Sequence, residues 1–218
     1  MQPDFWHARW QRGETGWHEE QINVHLQQLW PRLGLAAETR VFVPLCGKSR
    51  DLLWLAGRGH RVLGVELSEI AVQAFFDEQG LRPKIDDEPP FRRYAVDEMT
   101  LLCGDFFDLR PEHLAGISAF YDRASLIALP PALRGRYATH LKTLLPATTG
   151  LLITLDYDQT KMAGPPFSVQ PGEVERLFGD RFTLTAMADL DLIGESPKFR
   201  QRGLTTLREH VWRLDPRG

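Results

Sequence analysis

Cysteine is scarce in this sequence: Cys46 and Cys103 are the only two in 218 residues. Both fall at the ends of predicted strands. Two thiols so spaced build neither a disulfide framework nor a C-x-x-C metal site, and they fit a reducing, cytoplasmic compartment. Long apolar runs are missing too. No stretch approaches the ~18 residues that a membrane-spanning helix needs, and the opening MQPDFWHARWQRGE lacks the apolar core of a secretory signal. Positive charge is not in excess, with 26 Lys and Arg against 29 Asp and Glu, a net charge of -3 and a pI near 6.2. A nucleic-acid partner is therefore not expected. The seven histidines show no H-E-x-x-H or paired ligand spacing, so no protein-bound metal is expected. Internal repeats and low-complexity linkers are absent. A single domain over 1–218 is the expectation, with 1–35 as an N-terminal helical segment.

What is present is an alternation of strand and helix signals from about residue 40 to 180. Val41–Leu45 reads as a buried strand. Ser49 then caps a helix with Leu52, Leu55 and Ala56 on one face, ended by Gly57 and Gly59. Val62–Val65 is a second buried strand. Ser68 is a second N-cap, with Ala71, Ala74 and Phe75 on the inner face of its helix. Residues 82–98 read as a polar loop with a small hairpin around Asp97-Glu98. Met99–Cys103, Ile117–Tyr121 and Leu151–Leu155 are further strands. Leu133, Tyr137, Leu141 and Leu144 share a helical face, and a short helix covers Glu173–Phe178. The alternating Phe182 to Leu190 and the run Leu204–Leu214 then predict two antiparallel strands with no helix between. The expected fold is α/β and Rossmann-like: a mostly parallel seven-stranded sheet, helices on both faces, and a C-terminal antiparallel hairpin. That hairpin is the usual variation in cofactor-dependent methyltransferases.

The turn after the first strand, LCGKS, ends like a phosphate-binding loop. That motif needs a glycine five residues before Gly47, and the residue there is Phe42, inside the strand. Lys48 is then an exposed loop lysine. The dinucleotide pattern G-x-G-x-x-G fails as well, since only Gly47 lies in the turn. Glu66 ends the next strand, 19 residues beyond Gly47. An acid at that spacing is placed to accept from both hydroxyls of a ribose. The plain alternative is a strand-end carboxylate in a salt bridge. A site that wants a nucleoside but lacks the glycines for a pyrophosphate suits S-adenosylmethionine. In CGDFFDL, Asp105 is placed to accept from the adenine amine while Phe106 or Phe107 packs on the ring. Asp at a strand end is also a common cap.

VFVPLCGKSRDLLWLAGRGHRVLGVELSE, followed by FYDRASLIAL and GPPF and preceded by W-x-x-x-W-x-x-G and WHEEQINVHL, closely resembles the thiopurine S-methyltransferase family, in its bacterial branch. The resemblance implies a class I methyltransferase fold and a cytosolic, metal-free enzyme. It implies methyl transfer from S-adenosylmethionine to aromatic thiols, with selenium and tellurium compounds as further acceptors in bacterial members. By motif it assigns Trp10, Leu45, Glu66 and Arg123 to the cofactor. It also implies basic residues near the acceptor, for which SPKFRQRG offers Lys198 and Arg200.

The chemistry asks little beyond positioning, because a sulfonium already carries a good leaving group. The acceptor must be a thiolate, and a nearby cation suffices for an acidic heterocyclic thiol. No general base is assigned; Arg123, Lys198 and Arg200 are the candidate thiolate stabilisers. Trp6 and Trp10 stand at i, i+4 and can share a helix face, either as a lid over the cofactor or as plain packing. Trp6 and Phe167 are the candidate acceptor contacts, with Met162, Pro165 and Pro166 as an apolar wall or a rigid turn. The expected partner is a small thiol or chalcogen acceptor, and the expected state a cytoplasmic monomer. Two other readings are a non-catalytic cofactor-binding module and a nicotinamide-dependent reductase.

Overall fold

The structure, a computed structural model, describes residues 3–16 and 18–218. Met1 and Gln2 of the expected 1–35 segment, and Trp17 of the WHEEQINVHL stretch, lie outside the described residues. The chain divides into two compact units, the first ending at Tyr121 and the second running from Asp122 to Gly218.

In the first unit, α1 (Pro3–Gln11) and α2 (Val24–Leu29) precede β1 (Arg40–Val43), α3 (Asp51–Gly57), β2 (Arg61–Glu66), α4 (Glu69–Glu78), β3 (Lys84–Glu88), β4 (Phe91–Val96), β5 (Met99–Cys103) and β6 (Ile117–Arg123). The strand order is β3-β4-β5-β2-β1-β6. β5, β2, β1 and β6 run parallel. Val41, Phe42, Val43, Val62 and Val65 are all buried, as expected of parallel strands covered on both faces. Helix α3 turns Leu52 and Leu55 inward, and α4 turns Ala71, Val72, Phe75 and Phe76 inward. Gly64 in β2 has no room for a side chain. A Cβ there would lie 2.5 Å from Leu101 Cδ2 and 2.7 Å from Cys46 Sγ.

Four expectations are corrected. Residues 82–98 are not a loop: β3 pairs with β4 and β4 with β5, both antiparallel. The expected turn at Asp97-Glu98 joins β4 to β5, so the described strands number nine in the two units together, not seven. The alternation was hidden because the outer face is charged, with Asp86 opposite Arg93 and Asp87 opposite Arg92, while Phe91 and Tyr94 are buried. Ser68 does not cap α4 with its side chain. Nor is Ser49 the cap of α3: Arg50 holds that position without a side-chain cap bond, and Ser49 Oγ accepts from the Asp51 N–H at 3.2 Å.

In the second unit, α5 (Pro131–Leu144), β7 (Thr149–Asp156), α6 (Pro171–Phe178), β8 (Phe182–Asp191), α7 (Pro197–Gln201) and β9 (Arg208–Pro216) follow the last two residues of β6. β9 lies between β7 and β8 and is antiparallel to both. The expected terminal antiparallel pair is therefore present, but a short helix, α7, interrupts it. It went unseen because PKFRQ turns no residue into full burial. Tyr157, Met162, Leu204 and Leu207 form a small core of their own, against which Phe199 of α7 packs.

Asp122 is fully buried at the end of β6. Tyr137 of α5 donates its hydroxyl to Asp122 Oδ2 at 2.6 Å, and the Leu126 N–H donates to Oδ1 at 3.3 Å. Burial raises the Asp122 carboxyl to about 6, against the pull of these donors and of Ser125. The folded state then holds a proton at a pH where the unfolded chain has lost it. Stability from this group is fully present below about pH 4 and is lost as pH rises through about 6, a loss of about 3 kcal/mol. Asp122→Asn should remove this part of the pH dependence. Urea unfolding of both proteins between pH 4 and 7.5 measures it, and matching slopes would show that Asp122 does not titrate in that window.

Candidate functional site

The first unit brings the carboxyl ends of β1 and β2 together through one side chain. Glu66 is 7% exposed, and its two carboxylate oxygens accept from different turns. Gly47 N–H, after β1, donates to Oε2 at 2.9 Å, and Ser68 N–H, after β2, donates to Oε1 at 2.8 Å. No cation pairs with Glu66 among the described residues, so the salt-bridge alternative fails. Burial raises its pKa, opposed by the N–H groups of Ser68, Gly47 and Leu67. Each oxygen keeps a lone pair beyond the bond described.

The turn itself is strained. Leu45 has φ +44°, a left-handed conformation that a leucine adopts at a cost of roughly 1–2 kcal/mol. Gly47 follows at φ +54°, and the Trp10 indole lies over it: a Cβ on Gly47 would meet Trp10 Cζ2 at 3.4 Å. Trp10 is buried at the end of α1, while Trp6 is half-buried with its ring edge-on to Phe5 at 5.2 Å. Lys48 is not the exposed loop lysine expected. It is mostly buried and bonds Glu78 at the end of α4 at 2.5 Å, which leaves no phosphate role.

Asp105 takes the capping place that was its plain alternative, and of the two rings it is Phe106 that enters the core. Asp105 Oδ1 accepts from the Phe107 N–H at 2.8 Å and so caps the turn Phe106–Asp108, leaving Oδ2 without a described bond. Phe106 is buried and stacks on Phe42 at 6.5 Å and 22°. Phe107 is the half-buried ring of the pair. Both cysteine thiols are held protonated: burial raises Cys46 well above its ordinary value and Cys103 to about 11.

In the second unit, Arg123 is half-buried at the end of β6, and Ala124 after it has φ +66°, a second strained turn. Phe167 donates its N–H to the Ile127 carbonyl at 2.6 Å. Its ring lies against Gly164, where a Cβ would come within 2.5 Å, and under the Arg134 guanidinium at 5.9 Å. Arg134 is 1% exposed and pairs with Glu173 at 2.6 Å. Tyr157 donates to the Pro166 carbonyl. Lys198 and Arg200 stand on α7 rather than on a loop, both exposed, and Arg200 Nη1 donates to the Gly194 carbonyl.

Sequence reasoning missed Asp51, Asp122, Tyr137 and Arg134, all buried polar residues within these segments. Asp51 carried a signal: it is an acid one residue before the apolar face of α3, in an otherwise inward stretch. Among the described residues no helix is long and apolar enough to cross a membrane.

Comparison with known proteins places these observations. The family model for thiopurine S-methyltransferase matches residues 1–217. A thiopurine S-methyltransferase of Pseudomonas fluorescens strain Pf0-1 is 54% identical over 98% of this chain and 99% of its own. Another, of Azotobacter vinelandii, is 53% identical over the full length of both. Among solved structures, the 1,6-didemethyltoxoflavin-N1-methyltransferase of Burkholderia thailandensis, with bound S-adenosylhomocysteine, matches with a TM-score of 0.66. It is 18% identical over 98% of this chain and 87% of that one. An S-adenosylmethionine-dependent methyltransferase of Anabaena variabilis matches with a TM-score of 0.65 at 16% identity, over 99% and 95%. The fold is the class I, Rossmann-like methyltransferase fold, and the chain belongs to the thiopurine S-methyltransferase family.

Proposed function

We propose that this enzyme transfers the methyl group of S-adenosylmethionine to the sulfur of thiopurines and other aromatic or heterocyclic thiols, with selenium and tellurium compounds as further acceptors. The observation that carries the reading is Glu66: a buried carboxylate that no cation pairs with among the described residues, whose two oxygens accept from turn N–H groups at the ends of adjacent strands. A ribose diol would complete it. Family membership supports a transferase over a nicotinamide-dependent reductase.

In this reading Leu45, Gly47 and Glu66 hold the nucleoside, with Trp10 over the turn shielding it from water. Asp105 offers its remaining oxygen to the adenine amine, with Phe107 rather than Phe106 beside it. The cofactor supplies an activated methyl group on a sulfonium. When bound it would give that methyl to a deprotonated acceptor sulfur, with S-adenosylhomocysteine as the leaving group. Arg123 holds the acceptor thiolate or the cofactor carboxylate. Phe167 provides a wall for a flat ring. Lys198 and Arg200 are weaker candidates for the acceptor, since Arg200 already braces the Gly194 carbonyl. A cytoplasmic monomer remains the proposed state.

Glu66→Gln keeps the size of the side chain but sets an NH2 donor against one of the two turn N–H groups, so it weakens both the bridge and the acceptor. Affinity for S-adenosylhomocysteine should fall by about 5- to 150-fold, or about 1–3 kcal/mol, and the melting temperature should fall as well, because one buried turn N–H loses its acceptor. Calorimetry measures it, and wild-type affinity would remove Glu66 from the nucleoside site.

Arg123→Ala distinguishes the two roles of that residue. If Arg123 stabilises a bound thiolate, turnover should fall most for acceptors of high thiol pKa, where the protein must supply the ionisation. If it anchors the cofactor carboxylate, the KM for S-adenosylmethionine should rise alike with every acceptor. Lysine should restore only part, since it cannot make a bidentate fork. Steady-state kinetics with labelled cofactor over thiol, selenol and tellurium acceptors reads both. Wild-type constants throughout would take Arg123 out of the site, and no label transfer to any acceptor would leave a binding module.

A further inference from the structure

We infer that Asp51 is a positioning residue of the cofactor site, holding the N-terminal segment down on the turn that follows β1. The inference rests on the proposed reading of that turn as the nucleoside site. Asp51 is 2% exposed, yet no cation pairs with it among the described residues. Its two oxygens take neutral donors from opposite directions. Asn23 N–H donates to Oδ1 at 2.8 Å, and the Tyr121 hydroxyl donates to Oδ2 at 3.0 Å. Asn23 is also the N-cap of α2, its side chain accepting from the Leu26 N–H at 3.0 Å. The backbone held by Asp51 is therefore itself fixed at the start of a helix.

Neighbouring residues repeat the hold. Arg50 Nη1 donates to the Glu20 carbonyl at 2.9 Å, and its Nη2 lies 3.5 Å from Glu20 Oε2. Trp10 lies over Gly47. Residues 47, 50 and 51 thus grip residues 10, 20 and 23. The hydrogen bond at Asp51 is part-buried, whereas the one at Arg50 is exposed. A carboxyl group out of water needs its hydrogen-bond partners, so lifting the segment would take away the Asn23 donor and leave the Tyr121 hydroxyl. An apolar residue would fill the same space and exert no such pull. Tyr121 lies on β6, so the same carboxylate ties the N-terminal segment to that strand.

The test compares Asp51→Ala, Asp51→Asn and Tyr121→Phe with the unmutated chain. The readouts are S-adenosylhomocysteine affinity by calorimetry, melting temperature, and amide exchange of residues 18–26. Asp51→Ala should weaken the affinity about tenfold or more, the effect of losing hydrogen bonds to a charged group, and should speed exchange at 18–26. Asp51→Asn should stay within about threefold, because its oxygen still accepts from Asn23 and its amide can donate to Tyr121. Tyr121→Phe should lie between them, and it carries the test together with Asp51→Asn if the alanine variant does not fold. A lower melting temperature with unchanged affinity would make Asp51 purely structural and overturn the inference, as would unchanged exchange at 18–26. Glu66→Gln separates the two readings. Lost affinity there with none lost in Asp51→Ala defeats only the Asp51 inference. An unmutated chain that binds no S-adenosylhomocysteine defeats the nucleoside site, and the positioning role falls with it.

Discussion

A carboxylate in a protein interior is stable only when polar groups replace the water it has lost. Glu66 meets that condition through Gly47 and Ser68, the turn residues after two adjacent parallel strands. The geometry of the first unit at its ligand-binding edge depends on this bridge. It fixes the turn after β1 relative to the turn after β2, and it draws Gly47 into a left-handed conformation close under Trp10. Gly64, two residues earlier in β2, lets Cys46 and Leu101 close in behind it. The strained Leu45 is followed by Cys46, whose N–H donates to the Val65 carbonyl of β2 at 3.0 Å and so ties the turn to the neighbouring strand.

The same device recurs. Glu66, Asp51 and Asp122 are buried carboxylates at strand ends or a first helical turn, each satisfied by N–H or O–H donors rather than by a cation. A buried ion pair would neutralise these groups and saturate them. Neutral donors satisfy such a group without neutralising it. Arg134 follows the opposite rule. It is paired to Glu173 and set against Phe167, and it holds a ring in place rather than offering a charge.

Much of this was legible in the sequence. Buried parallel strands are continuous apolar runs, so Val41–Val43 and Val62–Val65 announced themselves, and the acid 19 residues after Gly47 marked the turn pair. The hairpin β3–β4 was not legible, because its apolar face is only Phe91 and Tyr94 against a row of charges. Helix α7 is too short and exposed to show a periodicity. The roles of Phe106 and Phe107 could not be separated either. Adjacent residues in a turn diverge, and which one enters the core depends on where Phe42 lies.

The sequence by itself determined the class of sheet, the position of the first turn, the absence of a phosphate loop and the family resemblance. Each of these is carried by local spacing or by residue type, which survive without coordinates. Only the tertiary structure decided which polar groups meet. That Asp51 joins Asn23 to Tyr121, that Lys48 belongs to Glu78, and that Asp122 belongs to Tyr137 are facts about residues 15 to 70 positions apart. The physical reason is that hydrogen bonds form within about 3 Å, and a linear pattern holds no record of which distant side chains folding brings to that range.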